Sequence, residues 1–200
     1  MDKRNNAKAW LRRDKPYMLV TSPMCGPFSA LQALFNYPKL DEKEVEKKLK
    51  AATEHILFTV EMCIEQQQAG RAFMFEHPHN ATSWQLECLK DLARLEGVHT
   101  LDFDFCMLGM ETTDKEGNRA PAKKRTNVLT NSSNIALLLR GAQCRNDHRH
   151  QELLDGRASK CQEYPDKFAK VICEGVKRDL EGMKWRDEMS KVYDISQPFE

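Results

Sequence analysis

The 200-residue sequence predicts one α/β domain with a mostly parallel sheet and flanking helices. Short apolar runs rich in strand-forming residues alternate with longer segments whose apolar residues recur at helical spacing. Strands that are separated by helices favour right-handed crossovers and therefore parallel pairing. The composition fits this fold class, because 40% hydrophobic residues can fill a core and 30% charged residues can solvate the surface.

The predicted elements follow the order strand, helix, strand, helix, strand, strand, helix, helix. The first two strands, at 17–21 and 72–75, are joined by a long helix from about Asp41 to Ala69. The remaining predicted elements are helices at 28–35, 82–96 and 135–140, strands at 101–105 and 127–130, a surface loop at 111–124, and a last helix that opens at Tyr164-Pro165. These elements form a domain at 15–182, preceded by a polar segment at 1–14 and followed by a loose tail at 183–200.

Charge and cysteine usage restrict the class of protein. A formal net charge of +1 does not by itself indicate a nucleic-acid binder. The polar N-terminus carries no apolar signal segment, and no stretch is long and apolar enough to span a membrane. The seven scattered cysteines are an odd number, which favours a reducing, intracellular compartment over a disulfide framework.

The loop that follows the first strand contains the first candidate catalytic residue. Pro23, Gly26 and Pro27 surround Cys25, so this stretch can be neither strand nor helix interior. Open α/β sheets present ligands on such loops at the carboxyl ends of their strands. A cysteine there, near backbone amides and a following helix, can have a lowered pKa and act as a nucleophile. Cysteines on apolar helix faces are predicted to be inert core thiols instead.

Glu76 directly follows the second apolar strand and is the second candidate. Burial at that position could raise its pKa and let it protonate or hydrogen-bond a substrate ring. A capping or salt-bridged glutamate is the alternative interpretation. Two such loops on successive strands would meet at one edge of the sheet, which predicts that Cys25 and Glu76 lie together.

Both loops resemble the catalytic half of the cytosine-5 DNA methyltransferases, over roughly 15–130. The run from Ser22 to Ser29 is similar to that family's Pro-Cys-Gln-x-Phe-Ser loop. The run from Phe73 to Pro78 is similar to its Glu-Asn-Val strand and loop, in the variant form Glu-x-Pro. The order of the two motifs and the helix between them also match.

The resemblance implies a Rossmann-like, S-adenosylmethionine-dependent methyltransferase fold, here incomplete, with DNA as the partner. In that family a thiolate attacks carbon 6 of a flipped-out cytosine, a glutamate holds ring nitrogen 3, and carbon 5 takes the methyl group from S-adenosylmethionine. By resemblance Cys25 would be the nucleophile and Glu76 the base-activating acid. The neighbouring substrate and cofactor loops would comprise Ser22, Pro23, Gly26, Phe28, Ser29, His77 and Pro78.

Three departures from the family pattern bear on activity. Met24 stands where the family has proline, and His77 stands where it usually has asparagine. No glycine-rich cofactor loop follows a strand before Tyr17. The chain would then be a degenerate relative, a fragment, or a subunit whose cofactor site is completed by an upstream segment or a protein partner. Lys123-Lys124-Arg125 resembles the family's Gln-x-Arg-x-Arg strand too weakly for assignment.

A second constellation indicates a metal. Cys144, His148 and His150 lie within seven residues, in a predicted loop at 141–151, and Cys106 at a strand end is a candidate fourth ligand. Sulfur and imidazole in a tetrahedral array are typical of zinc, and four protein ligands would make the site structural. The spacing is not a standard finger pattern, so a polar loop with incidental histidines is the alternative.

Two other functions stay open on the sequence alone. The first is a non-catalytic nucleic-acid-binding remnant that keeps the cleft and the zinc site. The second is a cysteine hydrolase, in which Cys25 would need a histidine base within hydrogen-bond reach, His77 being the candidate, and an oxyanion hole.

Overall fold

The computed structural model describes residues 3–113, 116–151, 153 and 161–192. It contains a four-stranded sheet, a small hairpin and five α-helices within those residues. The helices are α1 (Lys3–Asp14), α2 (Glu42–Gln68), α3 (Glu87–Arg94), α4 (Ser133–Leu139) and α5 (Asp166–Val192). The strands are β1 (Met18–Thr21), β2 (Ala72–Pro78), β3 (His99–Asp104), β4 (Glu111–Thr113), β5 (Arg119–Pro121) and β6 (Arg125–Thr130).

The four-stranded sheet is mixed, with the order β1-β2-β6-β3. Strands β1 and β2 are parallel, and β6 runs antiparallel to both of its neighbours. The predicted mostly parallel sheet is therefore wrong, and the Rossmann-like arrangement is not confirmed. The physical reason is the link from β3 to β6, whose described residues form the β4–β5 hairpin and no α-helix. Without a crossover helix the chain turns back beside β3 in the opposite direction.

Helices cover both faces of the sheet and divide the core in two. On one face, Phe73 and Phe75 of β2 pack with residues of α2 and α3. On the other face, Met74 packs with residues of β3, α4 and α5. Successive side chains of a strand point to opposite faces. Glu76 therefore faces the α4–α5 side of β2, whereas His77 faces the α2–α3 side.

Helix α5 is held against α4 by a close contact and by hydrogen bonds. A Cβ atom on Gly175 would lie 2.4 Å from the side chain of Ile135, so glycine permits the close approach. Asp179 accepts hydrogen bonds from Ser132 Oγ at 2.5 Å and from Asn134 Nδ2 at 2.8 Å. This packing fixes the middle of α5 against α4, while the start of the helix, at Asp166, lies beside the candidate site.

The termini and one loop differ from the sequence predictions. The polar segment at 1–14 contains α1, which is joined to α2 by ion pairs such as Arg12 to Glu65 at 2.8 Å. The predicted surface loop at 111–124 contains β4 and β5. The predicted loose tail is helical to Val192, because no glycine or proline interrupts the chain after Gly182 in that stretch, and 193–200 lies outside the described residues. Within the described residues, no helix combines the length and the apolar character that crossing a lipid bilayer would require.

Candidate functional site

The carboxyl ends of β1 and β2 bring Ser22 and Glu76 to the same edge of the sheet. Glu76, His77 and Pro78 are predicted to follow the strand as a loop, but they belong to β2, because the pairing with β6 continues to Pro78. The register pairs Thr21 with Phe75, so the next residues, Ser22 and Glu76, lie at the same level. Ser22 Oγ donates a hydrogen bond of 2.8 Å to Glu76 Oε2. Cys25 follows in the same loop, directly before a short 3₁₀ turn at Gly26–Phe28.

Glu76 is a buried carboxylate with an uneven set of partners. Glu76 is 2% exposed. Ser22 Oγ and the Tyr164 hydroxyl both donate to Oε2, each at 2.8 Å. The second oxygen, Oε1, is buried and has no hydrogen-bond partner among the described residues. Because buried polar atoms in proteins are nearly always hydrogen-bonded, Oε1 is an acceptor for a ligand or a water molecule.

Cys25 lies near enough to Glu76 and Lys124 for both charges to act on its thiol. Burial raises the pKa of the Cys25 thiol, the Lys124 ammonium opposes that effect, and the Glu76 carboxylate raises the pKa further. The thiol is half-buried and has no disulfide partner. At neutral pH the thiol form therefore predominates in the free protein, and a nucleophilic role requires that the thiolate be formed when a ligand binds.

Two residues of the site were missed by sequence reasoning, Lys124 and Tyr164. Lys124 precedes β6, and its Nζ lies 5.2 Å from the centroid of the Phe105 ring. Burial, followed by the charge of Glu76, raises the pKa of the Tyr164 hydroxyl well above its ordinary value. The basic run at 123–125 was a signal for Lys124. Tyr164 had no local signal, because its contact with Glu76 joins residues 88 positions apart.

His77 lies against the backbone of the Cys25 loop, where Met24 and Pro23 act on its ring, and does not contact the thiol in any hydrogen bond among the described residues. Its Nδ1 is hydrogen-bonded to Ser83 Oγ at 2.7 Å, and its buried Nε2 has no hydrogen-bond partner among the described residues. Burial lowers the pKa of His77 to about 4. The ring packs edge-on against Phe28 and Trp84. These contacts give His77 a core role and do not form the Cys–His pair that the hydrolase alternative needs.

The other predicted loop residues shape the loop. Phe28 is buried, and its carbonyl accepts a hydrogen bond from Thr82 Oγ1 at 3.3 Å. Ser29 N donates to the Gly26 carbonyl at 3.0 Å, which closes the 3₁₀ turn. Pro23 is buried. The carbonyl of Pro78, at the end of β2, accepts from Trp84 Nε1 at 2.8 Å.

A second cluster lies beyond the ends of β3 and α4. One ligand atom each from Cys106, Cys144, His148 and His150 can be chosen so that all four lie within 4.8 Å of one another. Cys144 Sγ is 3.3 Å from His150 Nε2 and 3.7 Å from His148 Nε2. The predicted convergence of these four residues is therefore present, and the cluster could hold a metal ion such as zinc.

The surroundings of the cluster suit a cation. His148 Nδ1 is 2.9 Å from Asp147 Oδ1, a contact that orients the ring so that Nε2 faces the cluster. Asp104 Oδ2 accepts from Cys144 N at 2.9 Å, while its Oδ1 is buried without a partner among the described residues. Burial, together with the neighbouring Cys144, raises the pKa of Cys106 to about 12. A bound cation would offset this effect and favour the thiolate of Cys106.

Comparisons with protein-family models, with curated proteins and with solved structures found no match for this chain. The chemistry of two groups of residues therefore carries the functional argument, one around Cys25 and Glu76 and one around Cys144.

Proposed function

We propose that the Cys25–Glu76 site binds a cytosine base and that Cys25 adds to its ring, as in the cytosine-5 DNA methyltransferases that the two loops resemble. One observation carries this proposal. A thiol and a buried carboxylate that acts on it lie at the same end of two adjacent parallel strands, and one carboxylate oxygen has no partner among the described residues. A carboxylate oxygen of this kind suits the hydrogen-bond donors of an aminopyrimidine ring.

The chemistry of the addition uses groups that are present. Cys25 Sγ, as the thiolate, forms a bond to carbon 6, and the thiol proton passes to solvent. The electron pair of the carbon 5–carbon 6 double bond shifts towards carbon 4, and the negative charge that results on ring nitrogen 3 is neutralised by a proton from Glu76. Carbon 5 then becomes nucleophilic and can take a proton or another electrophile. Loss of a proton from carbon 5, return of the nitrogen 3 proton to Glu76 and cleavage of the bond from Sγ to carbon 6 restore the free thiolate and the aromatic ring.

S-adenosylmethionine would supply the methyl group, but the described residues do not fit it. Sites for such cofactors in α/β proteins commonly use a glycine-rich loop after a strand. In this chain the loop after β1 carries Cys25, and none of the loops that follow β2, β3 or β6 is glycine-rich within the described residues. We assign the base-handling part of the site to this chain and the methyl-donor site to a further segment or a protein partner. Calorimetric titration of the purified chain should accordingly detect no tight binding of S-adenosylmethionine.

Hydrogen exchange at carbon 5 of cytosine tests the proposal without a methyl donor. The wild-type chain is incubated in D₂O with a cytosine-containing DNA oligonucleotide, and deuterium at carbon 5 is measured by mass spectrometry. We expect Cys25→Ser to abolish the exchange, whereas Cys88→Ser, which alters a thiol on α3, should retain it. Equal exchange with wild-type and Cys25→Ser protein would refute the addition chemistry.

A binding site without catalysis is the second candidate, and the raised pKa of the Cys25 thiol favours it. A non-catalytic nucleic-acid-binding protein would keep Glu76 as a base-recognition group and never form the thiolate. The same oligonucleotide separates the two candidates. Binding that is weakened by Glu76→Gln, with no deuterium at carbon 5, would support the non-catalytic function.

We also propose that the cluster of Cys106, Cys144, His148 and His150 holds a structural zinc ion. Tetrahedral zinc with ordinary bond lengths separates a sulfur ligand from a nitrogen ligand by about 3.6 Å. The two distances from Cys144 Sγ, 3.3 and 3.7 Å, bracket that value. Asn146 N also donates to Cys144 Sγ at 3.3 Å, a contact that stabilises a thiolate. Four protein ligands complete the tetrahedron, which indicates a structural site.

Metal analysis of protein purified without a histidine tag tests the zinc site. We expect one zinc ion per chain in the wild type and a large loss in Cys144→Ser. The matched control is Cys173→Ser, which alters an exposed cysteine on α5 outside the cluster. A sub-stoichiometric zinc content in the wild type would return these residues to an ordinary polar loop.

A further inference from the structure

We infer that the Cys106–His150 metal cluster holds Tyr164 in place, and through Tyr164 sets the position of Glu76. Tyr164 would be a positioning residue, because it touches Glu76 rather than the reacting atoms. This inference rests on the proposed zinc site and extends the proposed function of the Cys25–Glu76 site. It makes the base-handling site dependent on a metal that takes no part in the chemistry.

The first link is the turn that carries Cys106. Its neighbour Phe105 is fully buried and stacks on the Tyr164 ring, with the ring centroids 5.8 Å apart and the ring planes 22° apart. Phe105 also packs edge-on against Phe168 at the start of α5, at 5.0 Å. Lys167 Nζ donates to the carbonyl of Met107 at 3.0 Å. The turn therefore contacts the Tyr164 segment on both sides of Cys106.

The second link is the pair of lysines before β6. Lys123 Nζ donates to Asn146 Oδ1, within the ligand loop, at 2.7 Å. Lys124, the next residue, has its ammonium over the Phe105 ring and 3.4 Å from the carbonyl of Cys161. Its charge acts on the Cys25 thiol as well. One lysine thus contacts the ligand loop, while its neighbour contacts the segment that leads to Tyr164 and the reactive thiol.

The consequence for Glu76 follows from its two donors. Oε2 is held by Ser22 from the loop after β1 and by Tyr164 from the segment before α5. A hydrogen bond to a carboxylate stabilises its position more than one between neutral groups does. Loss of the Tyr164 donor would leave the carboxylate with Ser22 as its one donor among the described residues. Metal loss that loosens the Cys106 turn would release the Phe105–Tyr164 stack and with it that donor.

Fluorine NMR of protein labelled with 3-fluorotyrosine tests this inference directly. The chain has four tyrosines, so the Tyr164 signal can be assigned from Tyr164→Phe. Tyr17 serves as the internal control, because it is held beside Asp179 of α5, away from the cluster. In zinc-loaded protein we expect a Tyr164 signal distinct from that of free 3-fluorotyrosine. Removal of zinc by a chelator should move it most of the way to the free position, while the Tyr17 signal stays.

Phe105→Leu provides a second arm that leaves all four ligands intact. At full zinc content this variant should move the Tyr164 signal as zinc removal does, because the stacking partner is lost. If chelation shifts every tyrosine signal, Phe105→Leu at full zinc content still shows whether loss of the stack alone moves the Tyr164 signal. A Tyr164 signal unmoved by both zinc removal and Phe105→Leu would overturn the inference, and so would a wild-type chain that binds no zinc.

The deuterium exchange assay separates this inference from the proposed function. If the wild type exchanges, we expect Tyr164→Phe to slow exchange by roughly tenfold, with oligonucleotide binding changed by less than about twofold, because the hydroxyl positions the acid without binding the base. If the wild type shows no exchange, the base chemistry fails, and the NMR arms still decide whether the metal positions Tyr164.

Discussion

Removal of zinc is expected to destabilise the whole domain and not just the loop at 141–151. Cys106 lies in a turn whose flanking residues, Phe105 and Leu108, are buried in the core beneath α4 and α5. A metal that binds the folded state alone, at a hundredfold excess over its Kd, stabilises that state by about 2.7 kcal/mol. In a domain of this size each kcal/mol changes Tm by about 2–4 °C. Chelation should therefore lower Tm by about 5–11 °C.

The assay is thermal unfolding of tag-free protein, followed by circular dichroism, with zinc, with chelator, and with chelator followed by excess zinc. Restoration of Tm by zinc, with no effect of magnesium, would show that the chelator acts through a site with soft ligands. Cys144→Ser should have a low Tm that zinc does not raise. Cys173→Ser should respond as the wild type does, because that thiol lies outside the cluster.

The reasoning would be refuted by a wild-type Tm that changes by less than about 2 °C on complete removal of zinc. That outcome would mean that the turn at Cys106 is held by its apolar contacts without help from the metal. It would also remove the basis for coupling between the metal cluster and Tyr164.

Three further predictions use single substitutions. Alkylation of Cys25 should require a higher pH than that of an ordinary cysteine, and Glu76→Gln should speed it at pH 8 by removing a charge that raises the thiol pKa, as measured by peptide mass spectrometry. The pKa of His77 is lowered to about 4 in the folded state, so this residue does not reduce the free energy of unfolding above about pH 6.5. Towards pH 4 the free energy of unfolding should fall by up to roughly 3 kcal/mol, and urea unfolding of His77→Asn should lack this pH dependence. Gly175→Ala should lower Tm through overpacking of about 1–3 kcal/mol, whereas Gly182→Ala on the same helix, with open space around it, should raise Tm.

The sequence predicted the elements of the fold better than their directions. The long helix was expected at 41–69 and spans Glu42–Gln68, because its apolar spacing and its Asp41 cap are local signals. The direction of β6 was not predictable from its own residues, since an apolar run reads the same in either orientation. The direction of β6 depends on the link that precedes it. The polar sequence of that link predicts a loop and gives no sign of the β4–β5 hairpin.

The residues of the candidate sites likewise include some with a local sequence signal and some without one. Cys25 and Glu76 are predictable because each comes after an apolar run, and Cys144, His148 and His150 because they lie close together in sequence. Tyr164 and Lys124 gained their roles from packing between distant segments, which no local pattern records. That Oε1 of Glu76 has no partner among the described residues likewise depends on the three-dimensional packing and not on a local pattern.

The antiparallel direction of β6 is what brings Lys124 to the candidate site. Arg125, the first residue of β6, pairs with Asp104, the last residue of β3, so the start of β6 lies at the same edge as the carboxyl ends of β1, β2 and β3. A parallel β6 would place its start at the opposite edge, about 20 Å away at 3.3 Å per residue. Lys124 could then affect neither the Cys25 thiol nor the Phe105 ring. The antiparallel β6, which departs from the predicted parallel sheet, is thus the feature that brings Lys124 close enough to act on the Cys25 thiol and that places the Cys106–His150 cluster at the same edge.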